Sequence, residues 1–167
     1  MTEQITLSIN DEMLDDLLNE ARISPRLRAI RRLHSGDWEH CHRMLNALLP
    51  GTYIQPHRHP DRHQGEGFIL LRGELALVIF DDQGIIDPDR SLILSARKGS
   101  LGMDIRPNTW HCLIALEETV IYEVKGQPAG GYVQSNDKIF ACWAPAEGDP
   151  AAELYLIKLV DDVMKLR

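Results

Sequence analysis

Apolar residues recur at helical spacing over residues 8–21, where Leu14, Leu17, Leu18 and Ala21 share one face behind capping residues and first-turn acids. That pattern predicts a short amphipathic helix ending near Ile23-Ser24-Pro25. From Cys41 to Gly126 the pattern changes to short runs rich in Val, Ile, Leu and aromatics, punctuated by Pro50-Gly51, Gly65, Gly73, residues 81–84, Asp87-Pro88, Gly99, Gly102 and Pro107-Asn108. Spacing of this kind predicts an antiparallel β sandwich or barrel, with strands near residues 42–48, 53–57, 67–71, 74–80, 91–94, 100–105, 111–115 and 120–124. After Gly130-Gly131 comes a loop-like stretch. Asp149-Pro150 then supplies an N-cap and a first helical residue, with Leu156, Leu159, Val160 and Val163 on one face of the helix that follows. The chain therefore reads as one domain over residues 1–167, with a helical N-terminal extension (1–40), a β core (41–126) and a loop with a C-terminal helix (127–167).

At 167 residues the chain is long enough to bury a core without disulfide staples. With 18 basic and 25 acidic residues the net charge is -7, which argues against general nucleic-acid affinity and against attachment to a membrane through a basic surface. Small molecules or protein are the expected partners. Cys41, Cys112 and Cys142 are odd in number and free of any CxxC pattern, so neither a disulfide framework nor a thiolate zinc site is suggested, and a reducing cytoplasm fits best. The N-terminus lacks a basic and apolar leader, and no apolar run approaches the roughly 18 residues that span a bilayer. Arg22, Arg26, Arg28, Arg31 and Arg32 form a local basic cluster; solvation or pairing with the acids of the preceding helix is the plainer reading, an anionic ligand the sharper one.

The chemistry concentrates in Gly51-Thr-Tyr-Ile-Gln-Pro-His57-Arg-His59, followed by Glu66 and Gly73. In an extended strand the side chains at i and i+2 share a face, so His57 and His59 can offer two imidazoles to one point. His111, in Arg106-Pro-Asn-Thr-Trp-His111, stands before an apolar run where a neighbouring strand could bring it to the same point. Three histidines with Glu66 could hold one divalent transition metal. Nitrogen and oxygen donors of this kind suit Fe, Mn, Ni, Co, Cu or Zn rather than Ca or Mg.

Gly51, five residues, His57-Arg58-His59, then Glu66, six residues and Gly73 resembles the first motif of the cupins, and Gly99 to His111 resembles the second. The resemblance implies a mainly β cupin double-stranded β-helix, a jelly-roll barrel, with His57, His59, Glu66 and His111 as ligands of one metal. Six residues separate His59 from Glu66 where the family usually has three or four, giving an enlarged loop in which His63 could replace or supplement a ligand. Arg106 stands at the pattern's proline, Asn108 at its glycine and Ala115 at its terminal asparagine; asparagine tolerates the left-handed conformation such a turn can require. The order of Ser24-Pro-Arg-Leu-Arg28, His34, Arg43-Met-Leu, residues 50–59, Thr109-Trp-His111, Glu123-Val-Lys125-Gly and Trp143-Ala-Pro-Ala-Glu147-Gly is similar to the WbuC family of cupin-fold metalloproteins. Members of that family occur beside bacterial O-antigen polysaccharide genes, which implies a sugar-linked setting.

Tyr53 and Gln55 share the strand parity of His57 and His59, so they could contact a ligand or bond the metal-binding side chains; core filling is the alternative for the tyrosine. Glu123 and Lys125 lie on one face of a late strand, as a proton-transfer pair or, more simply, a salt bridge. His34, His40 and His42 receive no role, Cys112 points away from the metal as a small hydrophobe, and Tyr132 could fold over the barrel mouth. Two functions follow. One is a metal-dependent enzyme, an isomerase or epimerase, lyase or dioxygenase acting on a small sugar-derived or oxyacid substrate, with Glu66 or Tyr53 near the reacting atoms. The other is a non-catalytic module that binds or senses a small molecule through the metal. Cupin barrels commonly pair through exposed strands, so a homodimer is expected.

Overall fold

In the computed structural model, which describes residues 6–166, ten strands form two five-stranded antiparallel sheets packed face to face. The first sheet runs in the order β1 (Arg28–Arg32), β2 (Cys41–Leu48), β9 (Thr119–Gly126), β4 (Glu66–Arg72), β7 (Gly102–Ile105). The second runs β10 (Ile139–Phe140), β3 (His57–Arg58), β8 (Trp110–Ala115), β5 (Glu74–Phe80), β6 (Leu92–Ser95). This is the jelly-roll arrangement, with the two sheets kept separate rather than closed into a barrel.

Each sheet buries its outer face under one helix. The first helix, α1 (Asp11–Ile23), starts where the Asn10 side chain accepts the Met13 N–H at 3.0 Å. It sets Leu14, Leu17, Leu18 and Ala21 against Leu45, Ala47, Leu49 and Val120 of the first sheet. The last helix, α3 (Ala152–Met164), packs Leu156, Leu159 and Val163 on Ala76, Val78, Phe80, Cys112 and Ile114 of the second. Asp149 stands just ahead of this helix, its carboxylate accepting the Ala151 N–H at 2.8 Å. A third cluster fills the space between the sheets: Leu48, Phe68, Leu70, Ile105 and Ile121 from one side, Leu75, Leu77, Ile79, Leu94, Leu113 and Ala115 from the other. Strand β5 belongs to both apolar layers, which is why it reads as a continuous apolar run rather than an alternating one. No helix among the described residues is long and apolar enough to cross a membrane.

The N-terminal 40 residues are not purely helical, as the sequence pattern had suggested: residues 28–32 form β1, paired antiparallel with β2 from Arg28 opposite Leu48 to Arg32 opposite Met44. An arginine-rich segment makes a serviceable edge strand because its charges discourage pairing with another chain. Its neighbours hold those charges. Arg22 bonds Glu118, Arg26 and Arg28 share Glu147, Arg31 bonds Glu20 at 2.7 Å and Arg32 faces Asp37 at 3.3 Å. Only Glu20 comes from the preceding helix. The strand anticipated over 53–57 is reduced to His57–Arg58. A further short helix, α2 (Gln134–Asp137), lies in the loop after β9.

Towards one end of the sandwich the inward-facing positions change from apolar to polar. Along β2 the cavity-facing series runs Leu48, Asn46, Met44, His42; along β9, Ile121, Glu123, Lys125; and on β8, Leu113 is followed by His111. The turn before β8 holds Asn108 at φ 65°, where its N–H donates to the His59 carbonyl at 2.7 Å. A β-branched residue in this left-handed conformation is strained by roughly 1–2 kcal/mol, whereas glycine is not. Asn108→Val should therefore lower the unfolding free energy by about that amount and Asn108→Gly should leave it nearly unchanged, as read by urea denaturation.

Candidate metal centre

Strand pairing brings the histidines together. His57 on β3 is the direct cross-strand partner of His111 on β8, and their ring centroids are 4.6 Å apart. His59, two residues on, presents its ring 5.3 Å from His57 and 5.9 Å from His111. Glu66 opens β4 on the opposite sheet, between Lys125 of β9 and Ile105 of β7. One donor atom from each of His57, His59, Glu66 and His111 lies within 4.8 Å of every other, and all four residues are buried. Such a set could bind a metal ion.

The hydrogen bonds fix how the rings point. Nδ1 of His57 meets the Gln55 carbonyl at 2.9 Å, Nδ1 of His59 the Asp137 carbonyl at 2.6 Å, and Nδ1 of His111 the Thr109 carbonyl at 2.9 Å. A carbonyl only accepts, so each Nδ1 carries a proton, and in the neutral ring each Nε2 is left with a lone pair. Two of these lone pairs face a third acceptor: Glu66 Oε2 lies 3.1 Å from His59 Nε2 and 3.4 Å from His111 Nε2, and is buried with no hydrogen-bond partner. Acceptors crowded in this way repel unless a proton or a cation lies between them. Burial, with Lys138 and His111 nearby, pushes the His57 imidazole well below its ordinary range, which keeps it neutral. Burial also pushes the Glu66 carboxyl up, but the His111 and His59 rings beside it outweigh that effect and hold it well below the usual carboxylate range. A neutral His57 imidazole beside an ionised Glu66 carboxylate is the donor state that divalent transition metals select.

The second tier of contacts runs through Asp137. Its side chain accepts from Lys125 Nζ at 2.6 Å and from Gln64 Nε2 at 3.3 Å, and its carbonyl takes Gln64 Nε2 at 3.1 Å besides His59. Lys125 is thus committed to Asp137 rather than to Glu123, the partner its strand parity had suggested. Glu123 instead receives Asn46 Nδ2 at 2.5 Å. Burial and the neighbouring Glu66 charge push the Glu123 carboxyl up to about 8, against the opposing pull of Lys125. The four candidate ligands, Glu123, Lys125 and Asn46 line a cavity of about 440 Å³.

Of the other residues singled out in the sequence, Tyr132 lines this cavity, with its ring 5.3 Å from that of His42. Tyr53 does not: its hydroxyl donates to the Pro145 carbonyl at 2.7 Å and its ring packs on Tyr155, under the second sheet. Gln55 donates to the Ala141 carbonyl at 3.2 Å; only its backbone serves the centre, through His57. The chain from Tyr53 to Pro56 is irregular, so the two-residue alternation does not carry across it, and Ile54 faces the cavity instead. His63 is exposed beside Arg62, at 3.2 Å. Its loop packs on Gly126, where an added Cβ would fall 1.9 Å from the His63 carbonyl oxygen, and so lies against the end of β9. Cys112 points away from the cavity, and burial pushes its thiol up. Asp137 and Gln64 carried no signal in the sequence, since their contacts join distant segments.

Comparison with solved structures places the fold among the cupins. A salicylate 1,2-dioxygenase from Pseudoaminobacter salicylatoxidans aligns over 71% of this chain and 35% of its own, with a TM-score of 0.50 at 16% identity. A cupin superfamily protein from Desulfitobacterium hafniense aligns over 59% of this chain and 76% of its own, with a TM-score of 0.45 at 10% identity. An oxalate decarboxylase from Bacillus subtilis aligns over 61% of this chain, with a TM-score of 0.46 at 16% identity, and the match spans 24% of the decarboxylase. What the chain shares with the dioxygenase is the fold alone. No curated protein matches the sequence. One family model matches residues 9–92, a span that takes in α1, His57, His59 and Glu66, and the chain belongs to that family, the Domain of unknown function (DUF6016).

Proposed function

We propose that the protein is a metal-dependent enzyme that binds one divalent transition metal through His57, His59, Glu66 and His111 and acts on a small sugar-derived or oxyacid molecule. The observation that carries this reading is the convergence of histidine Nε2 atoms on an unpartnered, buried Glu66 Oε2 in the wall of the cavity. Iron, manganese, nickel, cobalt, copper or zinc all suit the donors. When bound, such an ion supplies Lewis acidity to an oxygen of the ligand or of water. The protein's own groups do the rest. Asn46 and Glu123 would orient the polar groups of a bound molecule beside the centre, Leu48, Leu113 and Ile121 exclude water from the floor, and Tyr132 closes over the mouth.

A cavity of about 440 Å³ suits a molecule the size of a monosaccharide or a small acid. The likeness to the WbuC family supports the sugar-derived choice and a link to bacterial surface polysaccharide metabolism. The three free cysteines agree with a cytoplasmic setting, and pairing of two copies through an exposed sheet edge is the partner arrangement we expect.

Elemental analysis of untagged protein purified without chelators tests the reading. The wild type should hold a near-stoichiometric transition metal, and His57→Ala/His59→Ala should lose it. A wild type that stays metal-free after reconstitution with each candidate ion would overturn the proposal and leave a metal-free pocket binder. The support behind His59 is tested separately. Lys125→Met removes the nearest cation from the buried Asp137 carboxylate and leaves it with the more distant Lys138 and Gln64, so the metal-free protein should lose up to about 3 kcal/mol of unfolding free energy. Lys125→Met/Asp137→Asn should recover most of it, and equal stability of the single variant and the wild type would remove the ion pair as the anchor of α2.

A further inference from the structure

The loop between β1 and β2 folds His34 onto His42. Their rings stack with centroids 4.0 Å apart and planes 6° from parallel, and both side chains are more than nine-tenths buried. Nδ1 of His34 sits between the Arg43 N–H at 3.1 Å and the Arg43 carbonyl at 2.9 Å. Nδ1 can accept the N–H or donate to the carbonyl, not both at once; in the second tautomer Nε2 presents a lone pair. The Nε2 atoms of both rings are buried and have no hydrogen-bond partner. An orphaned buried polar atom costs about 1–3 kcal/mol, so two side by side call for a third group to satisfy them. Asp37 brings a carboxylate to the same place: one donor atom each from His34, Asp37 and His42 lies within 4.8 Å of the others.

We propose that His34, Asp37 and His42 form a second transition-metal site in the wall of the same cavity. Two imidazoles and one carboxylate make a borderline donor set that suits Zn(II), Co(II), Ni(II) or Cu(II) and leaves positions for water or a ligand. The rings lie parallel, so a shared ion needs one of them to turn about its Cβ–Cγ bond from the stacked position. Burial and the neighbouring His34 pull the His42 imidazole below its ordinary range, which favours the neutral, ligating form. The Asp37 carboxylate is half exposed and pairs with Arg32 at 3.3 Å, an interaction of surface strength that a divalent cation can displace. Tyr132 and Lys125 lie on the path from this site into the cavity, with Lys125 Nζ 5.9 Å from the Tyr132 ring and that ring against His42. An ion here would place a second Lewis acid within the cavity that holds the His57 cluster, but its existence does not rest on the reading of that cluster.

The test is titration of the metal-free full-length protein with cobalt(II) chloride, followed by calorimetry and by visible absorption. The wild type should take up two equivalents, His34→Ala/His42→Ala one, and His57→Ala/His59→Ala one. Asp37→Asn alters an exposed side chain and should fold normally; it should weaken one equivalent by about tenfold or more, the loss seen when even an outer partner of a metal ligand is removed. Any equivalent count that His34→Ala/His42→Ala leaves unchanged from the wild type overturns the proposal, whereas a single wild-type equivalent that His34→Ala/His42→Ala abolishes and His57→Ala/His59→Ala retains supports it and counts against the His57 cluster instead. If circular dichroism shows that the double alanine variant is unfolded, Asp37→Asn decides: wild-type affinity at both equivalents means that water, not metal, satisfies the two nitrogens.

Discussion

Everything at the candidate centre depends on the register that sets His57 directly opposite His111. A slip of one residue in either strand would turn one imidazole to the outer face, under α3, and the cluster would be lost. The register is over-determined. On one side of β8, the pairing with β5 runs from Leu75 opposite Ala115 to Phe80 opposite Trp110, and β5 is apolar on both faces, so that ladder cannot shift without exposing a core face. On the other side, Asn108 hands its N–H to the His59 carbonyl. The short strand β3 contributes almost no pairing energy of its own; it is positioned by its neighbours, which have other reasons to stay where they are.

Concentrating polar groups at one end of the sandwich costs stability, because each buried acceptor or charge loses water. The apolar clusters at the other end and under the helices offset that cost, and the polar end is arranged so that nearly every group has a partner. Each Nδ1 of the triad meets a carbonyl, Lys125 meets Asp137, and Gln64 bridges the side chain and carbonyl of Asp137. The buried side-chain atoms left over among the described residues are Glu66 Oε2, the Nε2 atoms of His34 and His42, Arg58 Nε and the amide of Gln127, and the first three lie where an ion could sit.

Much of this was legible in the sequence, because it is encoded locally. The i, i+2 histidines, the glycine and proline punctuation, the helix faces and the left-handed Asn108 all follow from patterns a few residues long. What was not legible depends on long-range pairing. Strand β1 reads as charged, and its pairing with β2 shows only once Arg28 finds Glu147 more than a hundred residues away and Arg31 and Arg32 turn to Glu20 and Asp37. Tyr53 and Gln55 were assigned by an alternation that fails across the irregular stretch before Pro56. His34 and His42 meet only because β1 and β2 form a hairpin, so eight residues of separation become a ring stack.

The arginines of β1 also bear on the chemistry. Arg26 and Arg28 are balanced by Glu147, Arg32 by Asp37, and Lys125 by Asp137, with Lys138 a further 3.9 Å from that same carboxylate. The cations along the cavity wall are therefore already spoken for, and an anionic ligand would have to displace a carboxylate to reach them. Among the described carboxylates lining the cavity, Glu66 and Glu123 have no lysine or arginine in contact; Glu66 faces the His59 and His111 rings and Glu123 takes Asn46. Two acids in a space of low polarity raise the energy of the negative state, and a divalent cation lowers it more effectively than one additional proton.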